Sequence, residues 1–300
     1  MSRVSFARPH RIRRRAAACL ALAVSLALAA GAASAPVSRS AQVPAPQDTP
    51  YPCTLAIHVD ASDTRQGIFR VHEVIPVQAG PLTLLYPEWI PGNHSPSGPV
   101  AMLAGLKLSA NGKPVAWTRD KYDVYAFHLD VPAGATSLDA DFQYLSPRDG
   151  GYEMTDRMLM LEWDKMSLYP AGHYTRDIHV EPSVSLPQGW QFGSALETAT
   201  QSGGGTTFKP VTYNTLVDSP MYAGRYFKRV DLNPGGKAPV HLDIVADAPK
   251  YLETTPEQLA LHRALVTQAA KLFGSHHYDH YDFLFSLSDV MAGNGLEHHQ

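Results

Sequence analysis

The fold is decided by the stretch Cys53-Thr54-Leu55-Ala56-Ile57-His58-Val59-Asp60, in which apolar and polar residues alternate. Alternation with a period of two is typical of a strand that buries one face, because successive side chains point to opposite faces of a sheet. The segment 67–75 resumes the alternation after a polar loop. Regular structure is therefore predicted to begin with an antiparallel pair of strands.

The same pattern recurs through most of the chain. Further strands are predicted at 82–90, 100–110, 115–119, 122–131, 138–145, 158–161, 178–181, 190–194, 206–208, 222–230 and 241–246. The pair Asn111-Gly112 between two of them is a strong hairpin signal, since both residue types tolerate a positive φ. Short strands separated by frequent turns predict a mainly β fold, with a sandwich or saddle of packed sheets over residues 53–248.

The period of the apolar pattern changes after residue 253. Thr255, Pro256 and Gln258 provide the N-cap, the first-turn proline and the capping-box partner of a helix start. Apolar positions then recur at 3.6-residue spacing until Gly274, which ends the helix. The predicted apolar face is Leu259, His262, Leu265, Val266, Ala269, Leu272 and Phe273. A buried strand is predicted just after it, from Tyr281, so residues 249–300 are predicted to begin a second, α+β domain.

Residues 1–35 have the composition of an export signal. A basic segment that ends at Arg15 precedes the apolar run 16–30, which is too short to span a membrane. The small residues 31–35 suit signal peptidase. The mature protein is therefore expected in the periplasm or outside the cell, without a stable membrane span after cleavage. Residues 36–52, rich in Pro, Ala and Ser, predict a flexible linker.

Charge and cysteine content argue against two classes of function. The formal net charge is −3, and removal of the six arginines in the signal would lower it by six. Such an acidic protein lacks the basic footprint of a nucleic-acid binder. Only Cys53 would remain, so neither an internal disulfide nor a cysteine-based zinc site is predicted. Nothing in the sequence indicates the oligomeric state.

A polar, glycine-rich stretch follows the predicted strand, Gly293-Asn294-Gly295-Leu296-Glu297-His298-His299. Two glycines permit a positive φ and a close approach of another chain to the backbone. A carboxylate and two imidazoles follow at once, a composition typical of the edge of an active site. A polar turn after a strand is the simpler interpretation of the same residues.

Other histidines allow a third hypothesis, a metal-binding protein. His276 and His280 are four residues apart, which is a zinc-ligand spacing on a helix. They lie between a helix end and a strand, however, so a role in a loop is the favoured interpretation. Together with His298 they are the candidate ligands of this hypothesis. Neither a nucleophile elbow nor a phosphate-binding loop occurs, so nothing supports a serine hydrolase or a nucleotide-binding protein.

Four short stretches together resemble the glycyl aminopeptidase family of zinc metallopeptidases, relatives of thermolysin. They are Trp89-Ile90-Pro91-Gly92, Leu216-Val217-Asp218-Ser219-Pro220, Tyr281-Asp282-Phe283 and Gly295-Leu296-Glu297-His298. The resemblance covers residues 53–300. It implies an N-terminal β domain followed by the first helix and strand of a thermolysin-like α+β catalytic domain. It also implies a zinc enzyme that removes small N-terminal residues, Gly or Ala, from peptide substrates.

The resemblance implies a role for three residues. In the family, the glutamate of the Gly-Leu-Glu-His turn binds the free α-amine of the substrate, and the backbone before it pairs with the peptide. Glu297 would therefore bind substrate, with Gly295 and Leu296 as backbone contacts. A buried carboxylate beside an open backbone edge can fix a cationic N-terminus and its register. Asn294 stands where the family often has glycine, which affects the geometry of the turn.

The family's His-Glu-x-x-His zinc motif does not occur in residues 1–300. Without it there is no metal to activate water and no general base. We therefore expect no catalytic residue and no bound zinc in this chain, which would be the inactive N-terminal part of a longer enzyme. In isolation, the helix at 256–273 and the strand at 283–287 are expected to expose an apolar surface. The alternative is an exported β-sandwich binding module without chemistry.

Overall fold

A computed structural model of the protein describes residues 43–90, 92–147, 153–291 and 295–298. The predicted export signal, Pro91, Gly293, Asn294 and His299 lie outside these ranges. The described residues all belong to one compact unit, Ser40–Gln300. Within them, no helix is both long enough and apolar enough to cross a bilayer.

The described residues form four β-sheets and two α-helices, which confirms the mainly β prediction. The strands are β1 Leu55–Asp60, β2 Ile68–Pro76, β3 Gly80–Leu85, β4 Leu103–Ala110, β5 Lys113–Val115, β6 Trp117–Arg119, β7 Ala126–Val131, β8 Ser137–Leu145, β9 Met158–Leu161, β10 Tyr169–Pro170, β11 His179–Ser185, β12 Gln191–Ser194, β13 Thr198–Ser202, β14 Gly205–Phe208, β15 Val211–Thr212, β16 Met221–Gly224, β17 Phe227–Asp231, β18 Val240–Ala246 and β19 Tyr281–Leu287. The helices are α1 Tyr213–Val217 and α2 Pro256–Phe273, with 3-10 turns at Thr64–Gln66, Val100–Met102, Trp163–Lys165, Thr175–Asp177 and Pro249–Leu252.

The largest sheet is organised around β1. Its strand order is β13-β14-β11-β1-β2-β8-β4-β5, and β15 also pairs with β11. As predicted, β1 runs antiparallel to β2, with Val59 opposite Val71. Leu55, Ile57 and Val59 are buried, so the alternation correctly identifies the inward face. The other neighbour of β1 is β11, which is parallel to it and far away in sequence.

Two smaller sheets complete the β domain and share its core. Their strand orders are β10-β3-β7-β6 and β12-β16-β9. The predicted return strand at 115–119 is wrong as a single element, because β5 pairs with β4 whereas β6 pairs with β7 in another sheet. The Nε1–H of Trp117 donates to the Leu106 carbonyl oxygen at 3.3 Å and holds this corner. The predicted strand at 222–230 likewise divides into β16 and β17.

The fourth sheet has the order β17-β18-β19 and contains a βαβ unit. β18 and β19 are parallel, and α2 provides the long crossover that parallel strands require. One face of this sheet packs against α2 through Leu242, Ile244, Phe283 and Val266. Because β19 pairs along its whole length with β18, residues 281–287 are tied to a sheet that begins in the predicted β domain. The division into 53–248 and 249–300 stays a prediction.

Helix α2 has the predicted ends but buries less of its surface than its pattern predicts. Thr255 and Gln258 form the capping box, and Gly274 closes the helix with a φ of 66°. Of the predicted apolar face, only Val266 is buried. Leu272 and Phe273 have 78% and 73% of their surface exposed. Half of the apolar face therefore has no cover among the described residues.

The described end of the predicted linker contacts the β domain. The backbone N–H of Tyr51 donates to the Asp177 carbonyl at 2.8 Å. The Arg176 guanidinium donates to Asp48 at 2.7 Å. These contacts lay residues 48–51 along the turn Thr175–Asp177.

Candidate functional site

The 295–298 segment lies on the surface, beyond the end of β19. Gly295 and Glu297 are exposed, whereas Leu296 and His298 are half-buried. The alternation of exposure shows that the segment rests on the β domain through Leu296 and His298. Glu297 therefore projects outward from a fixed backbone, and it is not the buried carboxylate expected from the sequence.

His298 is held by a carboxylate from the β domain. Its Nδ1 lies 2.9 Å from Oδ1 of Asp218, which is 2% exposed. Because a carboxylate only accepts, Nδ1 carries the donated hydrogen. Asp218 occupies the C-cap of α1, whose first turn is capped by Thr212 through the backbone N–H of Thr215. The short helix thus places a carboxylate under the residue that follows Glu297.

The turn after Ile90 supports the segment from the other side. Gly92 has a φ of +80°, and a Cβ atom on it would lie 2.8 Å from the Glu297 carbonyl oxygen and 2.9 Å from Leu296 Cγ. Such distances leave no room for a side chain, so glycine is required by both the backbone conformation and the contact. Ile90 is 7% exposed and anchors the turn in the interior, while Trp89 beside it is 64% exposed.

The third stretch, Tyr281-Asp282-Phe283 at the start of β19, contributes a phenol near the Glu297 carboxylate. Burial raises the pKa of Tyr281, and the neighbouring Tyr278 and Glu297 raise it further. Glu297 is therefore within electrostatic reach of Tyr281. Asp282 points to the opposite face of the strand, where His241 and His280 bond to it. The structure thus brings the other three stretches near the 295–298 segment, two of them by direct contact.

Glu297 is chemically available in this arrangement. Its carboxylate has no hydrogen bond and no ion pair to any residue in the described ranges. An exposed carboxylate on a backbone fixed at Leu296 and His298 can accept charge-assisted hydrogen bonds from an ammonium group. Gly295, which is exposed and has no side chain, leaves the adjoining backbone open to a ligand.

The three histidines of the metal-binding hypothesis are not brought together. His276 contacts the Tyr278 hydroxyl, His280 bonds to Asp282, and His298 bonds to Asp218. In the part of the chain that the structure describes, no group of three metal-ligating side chains is placed to hold an ion. The residues within the described ranges therefore do not fit a zinc site.

The pairing of Asp218 with His298 was missed from the sequence, although both residues lie in the quoted stretches. No local pattern indicates a contact across 80 residues. The one available signal is compositional, because a carboxylate before Ser-Pro and a histidine after Glu297 are complementary partners. The sequence places Gly92 in a turn but does not indicate what the turn contacts. In the structure this turn supports Leu296 and Glu297.

Known structures share this architecture. The fold is similar to that of an aminopeptidase N family protein from Idiomarina loihiensis, with a TM-score of 0.65 and 18% identity. The similarity covers 82% of this chain and 41% of that chain, so this chain spans less than half of the length of that protein. An identity this low shows similarity of the fold alone.

Two further structures are less similar. An M1 zinc metallopeptidase from Deinococcus radiodurans has a TM-score of 0.46 and 13% identity, covering 83% of this chain and 57% of its own. Native yeast LTA4 hydrolase has a TM-score of 0.45 and 10% identity, covering 78% and 37%. At such scores neither supports a detailed comparison.

The family follows from the sequence itself. A family model described as the Peptidase M61 N-terminal domain matches residues 56–225, which is more than half of the chain. The chain therefore belongs to the Peptidase M61 family. No curated protein matches the sequence. The matched residues include Gly92 and Asp218, the two positions of the β domain that support the 295–298 segment.

Proposed function

We propose that the chain forms the amine-recognition part of an exported aminopeptidase of the glycyl aminopeptidase type. In this proposal Glu297 binds the α-ammonium group of a peptide, and Gly295 and Leu296 contact its backbone. The observation that carries the proposal is the convergence of Gly92 and Asp218 on the 295–298 segment. Both supports fix the backbone on either side of a carboxylate that has no partner among the described residues.

The arrangement suits an ammonium group for electrostatic reasons. A carboxylate that has to bind a cation must not already be neutralised, and no Lys or Arg in the described ranges pairs with Glu297. Its position is fixed through neighbouring residues, so little ordering entropy is lost on binding. A preference for a small first residue, Gly or Ala, rests on the family resemblance.

The hydrolytic step is not assigned to this chain. The described residues do not fit a zinc ion, and the sequence lacks a His-Glu-x-x-His motif. We place zinc, the general base and turnover of the peptide in a longer form of the protein. In that form, the role of the present residues would be to set the register of the peptide by its N-terminus.

Ligand binding tests the role of Glu297 without turnover. Glycinamide carries the α-ammonium group, whereas N-acetylglycinamide lacks it. We expect glycinamide to shift the NMR signals of residues 295–298 in a saturable manner and N-acetylglycinamide to shift them little. Glu297→Gln should weaken glycinamide binding by about tenfold, because the ion pair is lost. Glu181→Gln, on the exposed side of β11, is the matched control and should bind like the wild type.

Equal responses to the two ligands, or unchanged binding by Glu297→Gln, would contradict the proposal. Zinc content and turnover of glycyl- and alanyl-anilides should be measured on the same sample. Bound zinc together with turnover would show that the histidines between 276 and 299 form a site after all. Neither zinc nor turnover is expected.

Export is part of the proposal and has its own test. Expression of the whole chain in a bacterial host, followed by N-terminal sequencing of the periplasmic fraction, should find a mature end within residues 33–36. Retention of residues 1–32 on a cytoplasmic product would contradict it. The support for export is the basic and apolar composition of residues 1–35.

A further inference from the structure

A concave site lies on the face of the β17-β18-β19 sheet opposite α2, apart from the 295–298 segment. It is a cavity of about 510 Å³ between this sheet and the segment that includes β12 and the start of β13. Phe192, Leu196 and Phe227 line its walls, and Arg229, His241, His280 and Asp282 line its polar side. The volume is in the range that small-molecule sites occupy.

The polar side of the cavity is a row of charged residues set by strand register. Arg229 stands opposite Asp243, and His241 stands opposite Asp282, on three adjacent strands. Asp243 is fully buried, and the Asp282 side chain is 4% exposed. Residues of β18 at even positions face α2, so His241 and Asp243 at odd positions share the face that lines the cavity.

Every carboxylate oxygen in this row already has a nitrogen partner. Arg229 donates from Nε and Nη2 to the two oxygens of Asp243 at 2.7 and 2.6 Å. Nδ1 of His241 lies 3.1 Å from Oδ1 of Asp282, and Nδ1 of His280 lies 2.8 Å from Oδ2. The polar atoms left without a partner among the described residues are all nitrogens, namely Nη1 of Arg229 and Nε2 of the two histidines.

Among these unused nitrogens, Nη1 of Arg229 donates in every protonation state of the site and favours an anionic ligand. A carboxylate would accept from Arg229 and from any imidazole that carries a proton on Nε2. The acidic residue at the rim, Glu197, is paired with Lys209. The aromatic and aliphatic walls suit an apolar body attached to the charged group.

We propose that this cavity binds a small carboxylic acid with an apolar body, whose carboxylate contacts Arg229, His241 and His280. The site is separate from Glu297 and binds the opposite charge, so its test is independent of the proposed amine recognition. Since each Nδ1–H is committed to Asp282, a histidine donates from Nε2 only as an imidazolium. The imidazolium form of each ring therefore presents its Nε2–H to the ligand carboxylate.

The charged groups around the two imidazoles come from every element of the cavity. Glu197, with Lys209 behind it, lies on the side of β12 and β13. Arg229 comes from β17, Asp243 from β18 and Asp282 from β19. Glu197 pairs with Lys209, Asp243 pairs with Arg229, and Asp282 lies beside both imidazoles.

Isothermal titration calorimetry with phenylacetate tests the proposal on the purified protein. Acetate and phenylacetamide are the ligand controls, because the first lacks the apolar body and the second lacks the charge. We expect phenylacetate to bind at least tenfold more tightly than either. The factor of about ten is that of one charge-assisted hydrogen bond.

Two variants separate the cavity from general effects of histidine replacement. His280→Gln should weaken phenylacetate binding by about tenfold, whereas His276→Gln, on the exposed loop before it, should not change it. In the wild type, the ring signals of His241 and His280 should shift during titration. Tight binding of phenylacetamide, unmoved ring signals, or equal affinity of the His280→Gln variant would overturn the proposal. So would tight binding of zinc chloride to the EDTA-treated protein that displaces phenylacetate.

Discussion

Asp218 accepts a hydrogen bond at 2.9 Å from Nδ1 of His298, a residue 80 positions further along the chain. The carboxylate is buried at the end of α1, and the imidazole directly follows Glu297 in the sequence. This bond fastens the 295–298 segment to the β domain. The Leu-Val-Asp-Ser-Pro stretch contains no reactive pair of side chains of its own. Through Asp218 it instead holds the Gly-Leu-Glu-His turn in place.

Replacement of Asp218 by Asn should loosen the segment that presents Glu297. The loss of a charge-assisted bond at a buried position should lower the free energy of unfolding by about 1–3 kcal/mol, measured by urea denaturation. Glycinamide affinity should fall as well, because Glu297 is no longer held in place. Asp130→Asn, on the exposed side of β7, should change both by little. A loss of stability with unchanged glycinamide affinity would show that Asp218 does not position Glu297.

Gly92 should tolerate alanine less well than a glycine of similar backbone conformation. Gly92 and Gly134 have φ values of +80° and +77°, but a Cβ atom would meet Glu297 and Leu296 only at Gly92. Both Ala variants carry the cost of a positive φ, about 1 kcal/mol. The Gly92→Ala variant should lose more stability than Gly134→Ala, and only Gly92→Ala should weaken glycinamide binding. Equal losses in chemical denaturation would mean that the turn does not contact the segment in solution.

Local patterns were sufficient to predict most elements of the fold. The alternation in β1 identified the buried residues Leu55, Ile57 and Val59, and the capping residues located both ends of α2. The pairing of β1 with β11 and of β18 with β19 was not predicted. Parallel strands are joined by long crossovers, so no turn next to either strand indicates which strand it pairs with.

The candidate site was predicted in part, for a related reason. The residue types at 295–298 indicated a ligand-binding turn, which stays a prediction, and Glu297 is exposed there and not buried as expected. The supports of the turn are long-range contacts from Gly92 and Asp218, which neither periodicity nor motif spacing can reveal. The charged row of Arg229, His241 and Asp282 depends in the same way on the register between three strands.

Gly193 is required for a different close contact. A Cβ atom at this position would lie 2.3 Å from Oδ2 of Asp243, the partner of Arg229. Gly193→Ala should therefore displace the ion pair and destabilise the protein by about 1–3 kcal/mol, as overpacking does. Gly205→Ala is the matched control in a strand, since its Cβ would have an ordinary contact of 3.4 Å. The two thermal unfolding midpoints should differ clearly, and equal midpoints would contradict the tight packing of β12 on β18.

The pH dependence of stability should report on Asp164. Burial raises its pKa to about 8, the nearby Glu162 raises it as well, and Lys165 opposes the rise. Its Oδ2 has no hydrogen-bond partner among the described residues. Because the folded-state pKa is raised, the unfolded chain loses this proton first as the pH increases from about 4 to about 8. The group therefore makes its full contribution to stability below about pH 4, and that contribution is progressively lost on the way to about pH 8.

Asp164→Asn should remove this pH dependence. The stability of the variant relative to the wild type should rise between about pH 5 and about pH 7.5, by at most about 1.4 kcal/mol per pH unit. Urea denaturation at several pH values measures the difference, in which all shared titrations cancel. For Asp156→Asn, at a side chain that is 82% exposed, the difference in stability from the wild type should not change with pH. A pH-independent difference for Asp164→Asn would mean that this carboxyl group ionises normally in the folded protein.

The exposed apolar face of α2 should make the isolated chain self-associate and bind hydrophobic dyes. Leu261, Leu265 and Leu272 are 72%, 56% and 78% exposed and lie on one side of the helix, at spacings of four and seven residues. Apolar patches of this kind bind hydrophobic dyes and other surfaces. The wild type should therefore enhance ANS fluorescence and elute from a sizing column in a concentration-dependent manner.

Changing Leu265 and Leu272 to Glu should abolish both effects and leave the core unchanged, since neither side chain is buried. Leu145→Gln, at an apolar residue that is 36% exposed on β8, should leave both as in the wild type. A monodisperse wild type without ANS enhancement would show that the α2 face is covered by residues of its own chain.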